Sequence, residues 1–219
     1  MENIISSQIL FLADLIIFTT VVLIHLTKKN VYFIYLYAVQ SLVVTFLMAY
    51  SAFIDHSLMI GLLAVLIFVI KVIVAPIFFL KLIKAHTLNI TSSNYLNLPF
   101  TLVVIAIITT MAHSKFFQPL ASLAPANENA LLISIAAMFI SLFIIINRKG
   151  ALSQMIGILS IENAIVSFAL AAGLEQGFGL ELGITFDIFA WIVIASVFVS
   201  MIYKKFNTLD VSVMTKLKG

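Results

Sequence analysis

Residues 158–170 read ILSIENAIVSFAL, an apolar run in which Glu162 is the single charge and Asn163 stands beside it. An acid this deep in apolar sequence must be paired, protonated or facing water. What surrounds the run decides which kind of fold holds it. The chain has 219 residues, 63% of them hydrophobic and 10% charged. A soluble domain carries about a quarter charged residues to keep its surface wet. The composition therefore indicates an integral membrane protein, and the run around Glu162 is one of its membrane helices.

Working outward from that run, apolar blocks of roughly 20 residues recur, the length a helix needs to cross about 30 Å of hydrocarbon. They predict an all-α fold of seven transmembrane helices near residues 5–26, 31–53, 57–80, 97–116, 129–147, 151–172 and 181–203. Alternating ten-residue segments are absent, which argues against a β-barrel. The N-terminal stretch MENIISSQILFLADLIIF has no basic leader and carries Asp14, so it reads as a retained first helix. There is no cysteine, which removes disulfides, thiolate metal sites and cysteine nucleophiles.

Orientation follows from Lys and Arg in alternate connections. One side receives Lys28, Lys29, Lys81, Lys84, Arg148, Lys149, Lys204, Lys205, Lys216 and Lys218, and the other Lys115 alone. Such a bias places the N-terminus outside and the C-terminus in the cytoplasm. The basic residues sit at helix ends, so the formal charge of +3 points to no nucleic-acid partner. The longest connections, about 86–96 and 117–128, leave no room for an extramembrane domain. The first divides the chain into an N-terminal three-helix segment, 1–96, and a C-terminal four-helix segment, 97–219. It holds the glycosylation pattern Asn89-Ile90-Thr91, discounted on a cytoplasmic loop.

Four ionisable residues fall inside spans: Asp14, Lys71, Glu162 and Asp187. Left unpaired, they would cost on the order of 10 kcal/mol together. All four are proton-transfer candidates. Glu162 lies about ten residues from either end of its span, too deep to reach the interface. It reads either as a group that takes up and releases a proton or as a protonated acid in a static interhelical hydrogen bond. Asp187 reads as a second proton site or an interfacial residue reached by water. Lys71 reads as a relay or as a fixed counter-ion for Asp14 or Glu162, and Asp14 as a rim residue that pairs locally. Asn163 is a helix-packing amide. Pro76 has no N–H for the carbonyl of Val72 and loosens the third helix one turn beyond Lys71. The histidines, at 25, 56, 86 and 113, are too dispersed for a metal site and read as interfacial, and no cofactor is expected.

The stretch NRKGALSQMIGILSIENAI, residues 147–165, has a basic turn opening a helix that carries a glycine, an acid and an Asn-Ala pair. A helix with an embedded acid follows, then the basic tail YKKFNTLDVSVMTKLKG. This arrangement resembles the K-type subunit of bacterial respiratory complex I over about residues 129–219. Over the whole chain it resembles the related component E of hydrogenase-4-type complexes. One departure is that Leu159 occupies the position where the complex I subunit has its acid, and Glu162 comes three residues later, about 4.5 Å along the axis. The resemblance implies a subunit of the inner (cytoplasmic) membrane with no active site of its own. Its partners would be antiporter-like membrane subunits and a peripheral hydrogenase or formate-oxidising module, within a redox-driven proton- or sodium-translocating complex. Two other readings stay open: a stand-alone secondary transporter, and a purely structural membrane-arm subunit. Catalysis by the chain itself is not expected, since no HExxH, histidine box or cysteine is present.

Overall fold

The computed structural model describes residues 2–85, 93–122, 124–174 and 178–206. Within these, the side chains of 2–6, 85, 178–182, 184, 185, 187, 188, 191, 192, 195 and 196 lie outside the described set. Among the described residues the chain is helical and contains no strand. The helices are α1 (Glu2–Leu26), α2 (Asn30–Ile54), α3 (Leu58–Ile67), α4 (Ala75–Ala85), α5 (Leu98–Ala112), α6 (Gln118–Ala121), α7 (Glu128–Asn147), α8 (Ala151–Ala171) and α9 (Phe178–Phe206). A π-helical stretch, Phe68–Val74, joins α3 to α4 without a break, so the two form one long span.

Among the described residues, five helices are long and apolar enough to cross a membrane: Ser7–Leu26, Asn30–Ile54, Leu58–Lys84, Pro125–Asn147 and Ala151–Ala171. Large apolar side chains such as Phe46, Phe53, Leu62, Val65, Phe100 and Ile107 point outward. An apolar exterior of this extent suits lipid rather than water. The fourth expected span is shorter than its sequence suggests. Asn97 caps α5 by accepting from the amide of Phe100, and the helix closes at Ala112, after 15 residues. The polar run His113-Ser114-Lys115 turns away there, with the Ser114 amide donating to Met111. The third span runs the other way, past residue 80 to Lys84, because its two terminal lysines continue the helix instead of leaving it.

The core draws on both segments of the chain. Ile17, Val21 and Ile24 of α1 and Phe33, Tyr37 and Val44 of α2 recur at helical spacings of three, four and seven residues. They meet Ile140 and Ile144 of α7 and Ile156 and Leu159 of α8 in one cluster. α7 and α8 form the central hairpin. At its closest point a Cβ on Gly157 would stand 2.9 Å from the side chain of Ile145 and 3.1 Å from that of Ile144. Only a residue without a side chain lets the two backbones approach so far. α9 lies at the edge, against α3, α4 and α8.

The turn between α7 and α8 is tied to its surroundings. Asn147 accepts from the amides of Tyr95 and Leu96, through its carbonyl and its Oδ1, and donates through Nδ2 to Thr101. Arg148, wholly buried, donates to the carbonyls of Ile24 and Thr27, the latter at 2.8 Å, and its guanidinium lies 4.6 Å from the Phe33 ring centroid. It thereby satisfies carbonyls that the end of α1 leaves without a helical partner. Burial pushes this guanidinium down to about 10, and it keeps its charge at neutral pH.

Candidate functional site

Midway through the bundle, α8 makes a polar contact with each of three neighbours within six residues. Glu162 meets the π-helical stretch, where Lys71 Nζ donates to Glu162 Oε1 at 2.6 Å. Asn163 meets α2, its Nδ2 donating to Ser41 Oγ at 3.1 Å. Ser167 meets α1, its hydroxyl donating to Asp14 Oδ1. Glu162 and Asn163 diverge by about 100° around the helix, and Ser167 lies one turn beyond Asn163 on nearly the same face, so one short segment of α8 reaches three partners.

Lys71 is 1% exposed and sits at the centre of the π-helical stretch. The stretch has a local cause. Pro76 cannot donate to Val72, and the Ala75 amide bonds instead to Ile70, one residue further back than an α-helix allows. The loosening expected beyond Lys71 is thus a wide turn built around Lys71. A lysine this deeply buried needs an acceptor for its ammonium group, and Glu162 Oε1 supplies one.

Glu162 is not sealed off. Its side chain is 18% exposed, although Oε2 itself is buried without a hydrogen bond. Asp14 is 1% exposed and also keeps one oxygen, Oδ2, without a partner. Asp14 is therefore a buried group facing α8 rather than a rim residue, and its partner is a hydroxyl rather than Lys71. Asp187 belongs to α9, but its side chain lies outside the described residues. So do the Asn89-Ile90-Thr91 pattern, His86 and the tail beyond 206.

Several polar side chains near the ion pair carry no mark that a search for charges detects. Gln40 of α2 is wholly buried, and neither its oxygen nor its nitrogen has a hydrogen-bond partner among the described residues. The same holds for the Ser160 hydroxyl and Asn163 Oδ1. Each such group costs about 1–3 kcal/mol when left unsatisfied. Their signal in the sequence is an uncharged Gln-Ser pair, residues 40–41, inside the apolar run of α2. His25 departs from expectation too. It is buried rather than interfacial, its Nε2 donating to the carbonyl of Ile140 at 3.1 Å and its ring stacked on Phe143.

Fold and site together define a multi-pass helical membrane protein with a buried ion pair at its centre. No family model matches the chain, and no curated protein or solved structure matches it.

Proposed function

We propose that the chain is a non-catalytic membrane subunit of a hydrogenase-4- or complex I-like respiratory complex, with seven spans, its C-terminus in the cytoplasm and residence in the inner membrane. Within that complex its buried ionisable residues take part in redox-driven translocation of protons or sodium. The observation that carries the translocating role is the Lys71–Glu162 pair, set mid-bundle on a π-helical turn. Buried, partnered ionisable groups in a membrane bundle mark ion pathways, and π turns concentrate at functional sites. A carboxylate with one oxygen on lysine and the other without a bond has a place to receive a proton. The complex I-like assignment rests on the resemblance of residues 147–165 and the tail. Asp14 and Asp187 are further stations of the same axis.

The test has two parts. A mild-detergent pull-down from the native membrane, read by mass spectrometry, is expected to recover antiporter-like subunits and a hydrogenase or formate-oxidising module. In the recovered complex, Glu162→Gln is expected to abolish most ion movement while assembly persists. Recovery of the chain alone would discard the subunit reading, and unchanged ion movement would discard the role of Glu162.

A further inference from the structure

Gln40 has no evident reason to be where it is. It is wholly buried, carries one donor group and one acceptor, and uses neither. Native proteins leave few buried amides without partners, so the position calls for a second arrangement that does engage it. Its neighbourhood supplies one. Asn163 of α8 donates to Ser41, which pins the residue after Glu162 to the residue after Gln40. Counted from the end that carries Arg148, Gln40 of α2, Lys71 of the third span and Glu162 of α8 sit within roughly one turn of the same depth. The Tyr37 hydroxyl, one turn along α2 from Gln40, lies within electrostatic range of Glu162.

The chemistry of the two groups then matters. A carboxylate only accepts hydrogen bonds, and an ammonium satisfies it. A protonated carboxylic acid both donates and accepts. A primary amide also does both, and it can face an acid group with N–H against C=O and C=O against O–H. Gln40 is thus matched to the neutral form of Glu162 and Lys71 to the charged form.

We propose that Gln40 is a positioning residue that receives the side chain of Glu162 after it takes up a proton. The inference rests on the proton-handling role given to Glu162 above. One proton from the translocated stream adds to Oε2, and the carboxylic acid turns from Lys71 towards the amide. Deprotonation returns it. The ion pair seen here is one of two resting places, and the unengaged amide is the other.

Infrared difference spectroscopy of the full chain in lipid nanodiscs, titrated with pH, tests this. Glu162→Gln identifies the C=O stretch of protonated Glu162 as the band that it removes. Gln40→Leu is expected to move that band to higher frequency, as a carboxylic acid does on losing a hydrogen bond. Gln40→Met, unbranched and close in volume, is expected to do the same and serves if the leucine variant does not insert. An unmoved band in a folded Gln40 variant overturns the inference, as does the absence of any band that Glu162→Gln removes. Ion movement by the complex separates the two ideas. If Glu162→Gln stops movement while the Gln40 variants leave the band in place, only the role of Gln40 is lost. If Glu162→Gln leaves movement intact, the functional reading falls on its own.

Discussion

Two polar regions of this bundle are built on opposite principles. At the end that carries Lys28 and Lys149, Asn147 and Arg148 spend most of their hydrogen bonds on backbone, tying α1, the approach to α5 and the central hairpin together. At mid-depth, side chains meet side chains, through Lys71 and Glu162, Asn163 and Ser41, and Ser167 and Asp14, and several polar atoms there remain without a partner. Backbone carbonyls do not titrate or change rotamer, so the first region has one arrangement. Side-chain carboxyl, amide and hydroxyl groups can turn about their bonds, and a carboxyl can also take up a proton, so the second has room for another arrangement. The difference sets a structural joint apart from the proposed working site.

Breaking the ion pair from one side gives the largest expected effect. Glu162→Leu leaves Lys71 buried without its counter-charge and should destabilise the chain by about 3–5 kcal/mol, measured by denaturation in mixed micelles. The double variant Lys71→Met/Glu162→Leu should recover most of that loss, because an ion pair and a well-packed apolar pair have similar net stability. It should not recover ion movement. Recovery of both would make the pair structural and dissolve the contrast between the two regions.

Arg148→Met comes next. It strands the carbonyls of Ile24 and Thr27 and removes the contact with Phe33, at a cost of about 2–4 kcal/mol on the scale of unsatisfied buried groups. Whatever protein folds should translocate normally, which is the opposite pattern from the mid-depth variants. Arg148→Lys should rescue little, since a single ammonium cannot reproduce the planar fork.

A smaller effect is expected at the hairpin. Gly157→Ala must push Ile144 and Ile145 aside by a few tenths of an ångström, and a loss of about 1–3 kcal/mol in the same assay is expected from overpacking. The smallest is Asn163→Ala, which removes one interhelical hydrogen bond worth about 1 kcal/mol in membrane helices. If it also reduced ion movement, Asn163 would join the working site in its own right.

Much of this was legible in the sequence, and the failures share a cause. Hydropathy placed the helices because lipid imposes the same demand on every span. It overran α5 because His113, Ser114 and Lys115 end that helix early, and it stopped short on the third span because Lys81 and Lys84 continue the helix into the polar end. The need for Lys71 and Glu162 to be satisfied followed from the cost of burying charge, but which acid faces Lys71 depends on how helices far apart in sequence pack. His25 read as interfacial and Arg148 as a loop base because both lie near span ends, and packing rather than position along the chain buried them. Gln40 went unread because an uncharged amide raises no alarm in a search built on charge.

The π-helical stretch has a geometric consequence for the whole third span. Its buried residues Ile67, Lys71, Ala75, Phe79 and Ile83 follow a repeat of four, whereas an α-helix turns about 100° per residue, so that repeat would drift by about 40° at each step. Widening the helix between 68 and 74 takes up part of the drift, and all five stay buried. The span is wound on two gauges, and Lys71 sits at the middle of the wider one. If the wide turn migrated by one residue along the chain, the lysine would swing around the helix axis while both ends of the span stayed where they are.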